Sequence, residues 1–85
     1  MADPAAGTVL QVMMRDGCSL CDHLVLALEL LRPRYRFTYS KVDVDADPAL
    51  ADRYGARVPV LVAGTEEICE GHCDPALIEA FLKAR

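Results

Sequence analysis

The sequence has no surplus of positive charge. Its 9 basic residues are outnumbered by 13 acidic ones, for a net charge of −4, and Arg32, Arg34 and Arg36 are diluted by acids elsewhere. Nucleic-acid binding normally leaves a basic stripe, so no nucleic-acid partner is expected. No apolar run approaches the ~20 residues that span a bilayer, and no membrane association is expected either. Met1–Gly7 lacks the positive stretch and apolar core of a secretory signal, which makes a reducing cytosol the expected compartment. There is no internal repeat, no linker and too little chain for a second domain in 85 residues. The expected organisation is a flexible tail over residues 1–7 and one domain over 8–85.

What is present favours folding. Apolar residues make up 53% and charged ones 26% of the chain, too apolar for a disordered segment. There are 4 cysteines. In a secreted chain they would suggest a disulfide framework; in a reducing compartment they are more often catalytic, metal-binding or buried.

Local patterns give an element order. Thr8–Met14, apolar and β-branched at Val9 and Val12, reads as a buried strand, broken by Arg15-Asp16-Gly17. Ser19–Leu31 reads as a helix with Leu20, Leu24, Ala27, Leu28 and Leu31 on one face, stopped by Pro33. Leu26 and Leu30 fall outside that face, as a partner patch or as packing under a loop. Arg36–Val44 reads as a strand in which Phe37 and Tyr39 alternate in one phase and Val42 and Val44 in the other, which suggests a bulge or a change of burial. Asp47-Pro48 is a helix start, and Gly55 suits a left-handed cap at that helix's end. Pro59–Val62 is a short buried strand, Ala63-Gly64-Thr65 a turn and Glu66–Cys69 a return strand. Asp74-Pro75 repeats the helix start, and Leu77, Ile78, Phe81 and Leu82 give the last helix its apolar face. The order is β-α-β-α-β-β-α: an α/β domain with a four-stranded mixed sheet, its first two strands parallel and its last two an antiparallel hairpin, flanked by helices.

Chemistry concentrates at Cys18-Ser19-Leu20-Cys21, which follows a strand and opens a helix. The first turn of a helix offers unpaired N–H groups and partial positive charge. A cysteine there favours its thiolate, below the free-thiol range. Cys21, one turn inside and more buried, is placed to resolve a mixed disulfide formed at Cys18. The alternatives are two core cysteines or half of a zinc site.

The chain resembles the glutaredoxin family, and more narrowly the small bacterial glutaredoxin-like proteins with a Cys-x-x-Cys near the start. The resemblance runs from about Val9 to Leu82. Its specific segments are Arg15-Asp16-Gly17-Cys18-Ser19-Leu20-Cys21-Asp22 and Arg57-Val58-Pro59-Val60; Val42-Asp43-Val44-Asp45 and Gly71-His72-Cys73-Asp74 add to it. The resemblance implies a thioredoxin/glutaredoxin fold and dithiol exchange through Cys18 and Cys21. It implies a cis Pro59 facing the cysteines, with the Val58 backbone free to pair with a peptide or glutathione. It places Arg15 where a basic residue attracts a glycyl carboxylate, and Cys73 and Asp74 where the γ-glutamyl end binds, although Asp74 is also a natural helix cap. The chain departs from the pattern at Ser19-Leu20, where Pro-Tyr is usual, at Arg57, where Thr is usual, and at His72, where Gly is usual. Arg57 adds charge that could select another acidic partner.

The expected activity is therefore a thiol–disulfide oxidoreductase, acting as a monomer on protein disulfides or glutathione mixed disulfides. No bound cofactor is expected; glutathione is the candidate reductant or co-substrate. The alternative is a redox-silent or redox-sensing binding module on the same fold. Cys69 and Cys73 are expected to sit one in the core and one near a helix start, with a second disulfide pair as the other reading. Cys18, Cys21, Cys69, His72 and Cys73 have the ligand types for zinc, but the two groups would have to meet across the sheet, and no metal is expected. A shared iron–sulfur cluster belongs to relatives with a single motif cysteine. Asp43, Asp45 and Asp47 alternate, but Pro48 and Tyr54 stand where a calcium loop needs Gly and Glu. His23 is expected to be an ordinary exposed helical histidine.

Overall fold

The structure, a computed structural model, describes residues 7–84. The expected tail therefore lies, but for Gly7, outside the described residues. Strand β1 (Val9–Met14) leads to helix α1 (Ser19–Leu31), strand β2 (Thr38–Asp43), a 3₁₀ turn (Val44–Ala46), helix α2 (Pro48–Tyr54), strands β3 (Val60–Ala63) and β4 (Glu66–Glu70) and helix α3 (Pro75–Lys83). This is the expected β-α-β-α-β-β-α order. The strands form one mixed sheet ordered β2-β1-β3-β4, with β1 parallel to β2 and antiparallel to β3, and β3 antiparallel to β4. Among the described residues no helix is long and apolar enough to cross a membrane.

The helices begin where their caps dictate. Asp47 and Asp74 accept the N–H groups of Ala49 and Ala76, each at 2.9 Å, and a proline follows each cap. Pro suits this position because the N–H it lacks would have no partner in the first turn. Each cap leaves one fewer orphan donor and is worth ~1 kcal/mol.

Both faces of the sheet are covered. On one, Leu24, Leu28 and Leu31 of α1 and Ile78 and Leu82 of α3 pack over Leu10 and Val12 of β1 and Leu61 of β3, with Tyr35, Phe37 and Cys73 at the margin. On the other, Tyr54 of α2 and Val44 close over Met13, Val60 and Val62. Leu10, Leu28, Leu61, Ile78 and Leu82 are fully buried, each contributing ~1.5–3 kcal/mol of transfer free energy, so the α1/α3 side carries most of the stabilisation.

One local expectation resolves to one of its two readings, and another is corrected. The phase change between Phe37/Tyr39 and Val42/Val44 is not a bulge: β1 and β2 pair without interruption from Val9↔Thr38 to Met14↔Asp43. Phe37 and Tyr39 serve the first core and Val42 and Val44 the second, so the change marks the point where cover passes from one face of the sheet to the other. The register shift lies instead in the hairpin, where Leu61 faces Cys69 but Val62 faces Glu67. Ile68 is the extra residue, and the bulge lets consecutive Ile68 and Cys69 both pack on the first core. Nor is Gly55 a left-handed cap. It is right-handed helical (φ −54°, ψ −38°) and donates to the Ala51 carbonyl. Crowding accounts for the glycine: a Cβ there would lie 2.5 Å from the Ala51 oxygen and 3.0 Å from the Arg15 guanidinium.

Candidate functional site

The turn after β1 sets the site. Gly17 takes φ +73°, a conformation that a side chain would strain, and reverses the chain into α1. Cys18 follows as the N-cap, with extended backbone (φ −100°, ψ 106°). Its Sγ accepts the Cys21 N–H at 3.1 Å. A cap is usually an oxygen; here the sulfur occupies the place where a helix favours negative charge. Cys18 is partly exposed, while Cys21 is fully buried on the inward face of α1. Their Cα atoms are 5.2 Å apart and the sulfurs are bonded as a disulfide. One cysteine of the bridge thus lies partly exposed at the helix start, and its partner lies buried one helical turn behind it.

Arg15 is engaged within the chain. Its guanidinium pairs with Asp45 at 2.8 Å and donates to the Gly55 carbonyl at 3.1 Å, tying the loop before Cys18 to the 3₁₀ turn and to the end of α2. Arg57 is engaged more heavily. It pairs with Glu67 at 2.8 Å and Glu70 at 3.3 Å, donates to the Arg53 carbonyl at 3.0 Å and lies over the Tyr54 ring. The hydrogen bond from Arg57 holds the Glu67 carboxyl below its ordinary range, and the same bond holds the guanidinium above its own. The charge of Arg57 is therefore answered by the glutamates of β4.

The Val58–Pro59 bond is cis, as the resemblance implies, and Pro59 is fully buried. The Pro59 carbonyl accepts the Gly71 N–H at 2.8 Å, fastening the β4–α3 loop to the start of β3. That loop and α1 enclose a cavity of about 120 Å³ lined by Leu20, His23, Leu24 and Ala27 on one side and Gly71, His72, Cys73 and Pro75 on the other. The structure so brings Cys73 and the start of α3 up to the helix that carries Cys18 and Cys21. Arg15 and Arg57 point their charge to other partners. A second, wider groove of about 470 Å³ runs between α1 and α3, floored in part by Leu26 and Leu30, which are 58% and 69% exposed. They are surface residues rather than packing under a loop.

Cys69 and Cys73 correct the sequence reading. They are bonded to each other, with Cα atoms 5.6 Å apart, instead of lying separately in the core and at a helix start. The spacing of four around Gly71-His72 was the available signal. What spacing alone cannot supply is the left-handed Gly71 (φ +65°) that folds the segment back on itself. Among the described residues no cluster of three or more His, Cys, Asp or Glu is arranged to hold a metal ion.

Comparison with known proteins agrees with this geometry. The glutaredoxin-like domain (DUF836) matches residues 9–83. A crystal structure from X. campestris is 38% identical over 89% of this chain and 97% of that chain, with a TM-score of 0.73. A solution structure from Nitrosomonas europaea is 29% identical over 87% of this chain and 89% of that one, with a TM-score of 0.70. A mutant thioredoxin from Halobacterium salinarum is 32% identical over 93% of this chain and 74% of that one, with a TM-score of 0.66. The fold is thioredoxin-like. No curated protein matches the chain.

Proposed function

The chain belongs to the glutaredoxin-like domain family, and on that premise we propose that it is a thiol–disulfide oxidoreductase working through Cys18 and Cys21. The observation that carries the proposal is the asymmetry of the pair: a partly exposed Cys18 whose sulfur caps α1 and receives the Cys21 N–H, and a fully buried Cys21 one turn behind.

In the reduced protein the Cys18 thiolate attacks one sulfur of a substrate disulfide. The other substrate sulfur leaves as a thiolate and takes a proton from solvent. Cys21 then loses its proton and attacks the Cys18 sulfur, expelling the second substrate sulfur and closing the Cys18–Cys21 disulfide. Two electrons have passed to the substrate. Two equivalents of a thiol such as glutathione restore the dithiol and leave as the oxidised disulfide. The helix end stabilises the thiolate at the start of each cycle.

Protein disulfides and glutathione mixed disulfides are the proposed substrates. Val58 supports strand-like docking, since no hydrogen bond engages its backbone among the described residues. The cavity that joins α1 to Gly71–Cys73, next to the Asp74 cap, supports docking of a γ-glutamyl group there. Replacing Cys18 by serine should abolish turnover of a glutathionylated peptide. Replacing Cys21 by serine should trap mixed disulfides on Cys18, seen by mass spectrometry. Full activity in Cys18→Ser would overturn the mechanism, and thiols unreactive across all glutathione ratios would favour the binding-module reading.

A further inference from the structure

We propose that Cys69 and Cys73 form a second thiol–disulfide site, one that sets the shape of the cavity beside Cys18 and Cys21. Any effect on turnover rests on the oxidoreductase reading above; exchange at Cys69 and Cys73 does not.

The two cysteines belong to elements that are held in place without them. Cys69 sits in β4, paired with Leu61 of β3. Cys73 precedes the cap of α3, a helix anchored by the buried Ile78 and Leu82. The Cα separation of 5.6 Å lies within the range a disulfide needs, and the frame maintains it whether the bond is open or closed. A bond that forms and breaks between fixed supports can be reversible. A brace for the fold is a poorer explanation, because the bridge spans a sequence separation of only 4, and the chain entropy that a disulfide removes grows with the loop it closes.

What does depend on the bond is the segment between its ends. Gly71 is left-handed, its N–H bound to the Pro59 carbonyl at 2.8 Å, and His72 is exposed. With Cys73 these residues form one wall of the 120 Å³ cavity, opposite Leu20 and His23. Leu20 lies between the two motif cysteines. The closed bridge pins that wall; the open dithiol releases it.

The exchange is an ordinary one. Cys69 is the more exposed of the pair, so a small thiolate such as glutathione attacks its sulfur. A mixed disulfide forms on Cys69, and Cys73 leaves as a thiolate beside the first turn of α3. A second glutathione attacks the mixed disulfide and frees the Cys69 thiol. Two glutathiones become one glutathione disulfide, and the protein gains two electrons and two protons. Glutathione disulfide drives the reverse.

The test uses the full chain carrying Cys18→Ser and Cys21→Ala, with the wild-type protein in parallel. Both are equilibrated in buffers of varied glutathione to glutathione-disulfide ratio, quenched in acid, alkylated and read by peptide mass spectrometry. The expected result is a reversible two-electron step at Cys69 and Cys73 within the buffer range while the protein stays folded by circular dichroism. Hydrogen exchange then compares the two forms, and the amides of Gly71 and His72 should exchange at least severalfold faster in the dithiol. A bridge that resists excess dithiothreitol until denaturant is added overturns the proposal, as do thiols that never pair under the most oxidising buffer. Equal exchange in both forms overturns the control of the cavity wall. In the wild type, peptides containing Cys18 and Cys21 report separately on the oxidoreductase reading.

Discussion

Replacing Asp74 separates two roles that converge on one carboxylate. In the structure its Oδ1 accepts the Ala76 N–H at 2.9 Å, and the same residue stands where a γ-glutamyl group is proposed to bind. Asp74→Ala removes both the cap acceptor and the charge at the start of α3, at about 1.5 kcal/mol for the two together. For a domain of this size that corresponds to a fall in Tm of about 6–12 °C. Asp74→Asn keeps an acceptor at the cap and loses only the charge, about 0.5 kcal/mol and about 2–4 °C. Thermal unfolding followed by circular dichroism should place the three proteins in the order wild type, Asn, Ala. The kinetic arm uses a glutathionylated peptide. If the charge contacts the ligand, both variants raise KM by similar factors and leave turnover of a peptide disulfide without glutathione unchanged. Variants that melt together would refute the capping argument, and an unchanged KM in Asp74→Asn would refute the ligand role.

Acid should destabilise the fold in a defined window. The carboxyls of Glu29, Glu67 and Glu79 are held below their ordinary value of 4.5, first by hydrogen bonds from Tyr39, Arg57 and Tyr35 respectively. Their contribution is therefore complete above 4.5 and is lost as pH falls from there through the lower folded values. The urea midpoint should drop over that range, and a midpoint that stays flat or rises from pH 5 to 3 contradicts the assignment. Gly55→Ala should destabilise by about 1–3 kcal/mol through the clash with Ala51 and Arg15; a gain of about 0.4–1 kcal/mol, as alanine gives at uncrowded helical glycines, would remove the crowding argument. Leu28→Ala, at the centre of the larger core, should cost about 2–5 kcal/mol. That is a sizeable share of the about 4–13 kcal/mol available to a chain this size, so the urea midpoint of this variant should fall well below that of the wild type, and an unchanged midpoint would contradict the packing argument.

The parts of the fold that were legible are those written in neighbouring residues. Asp47-Pro48 and Asp74-Pro75 mark helix starts because cap and first turn are adjacent, and the leucine spacing of α1 gives the bounds Ser19–Leu31 observed. Cys18 and Cys21 were found for the same reason: a strand, a glycine turn and a helix cap occupy a dozen consecutive residues. The partners of Arg15 and Arg57 were not legible. Arg15 meets an aspartate 30 residues away, and Arg57 meets Glu67 across the sequence of β3 and the hairpin turn; a formal charge in the sequence does not reveal that it is already matched. Gly55 was misread because glycine has two uses, a positive φ and the absence of a Cβ, and the crowding by Ala51 and Arg15 that favours the second exists only in the folded chain. The switch of core within β2 needed the positions of α2 and the 3₁₀ turn, which period-2 alternation does not encode.

The strand order has a consequence for how this molecule behaves in a crowd. With β2 and β4 outermost, two rows of backbone groups face outward, and such rows invite other chains to add on and grow into ladders. Both margins are guarded. β4 carries Glu66, Glu67 and Glu70 within five residues and is kinked at Ile68, while β2 exposes Lys41 and Asp43. A second copy approaching β4 edge to edge would set glutamates against glutamates on a strand already bent out of line. The same acids that hold Arg57 thus also oppose edge-to-edge pairing at this margin of the sheet.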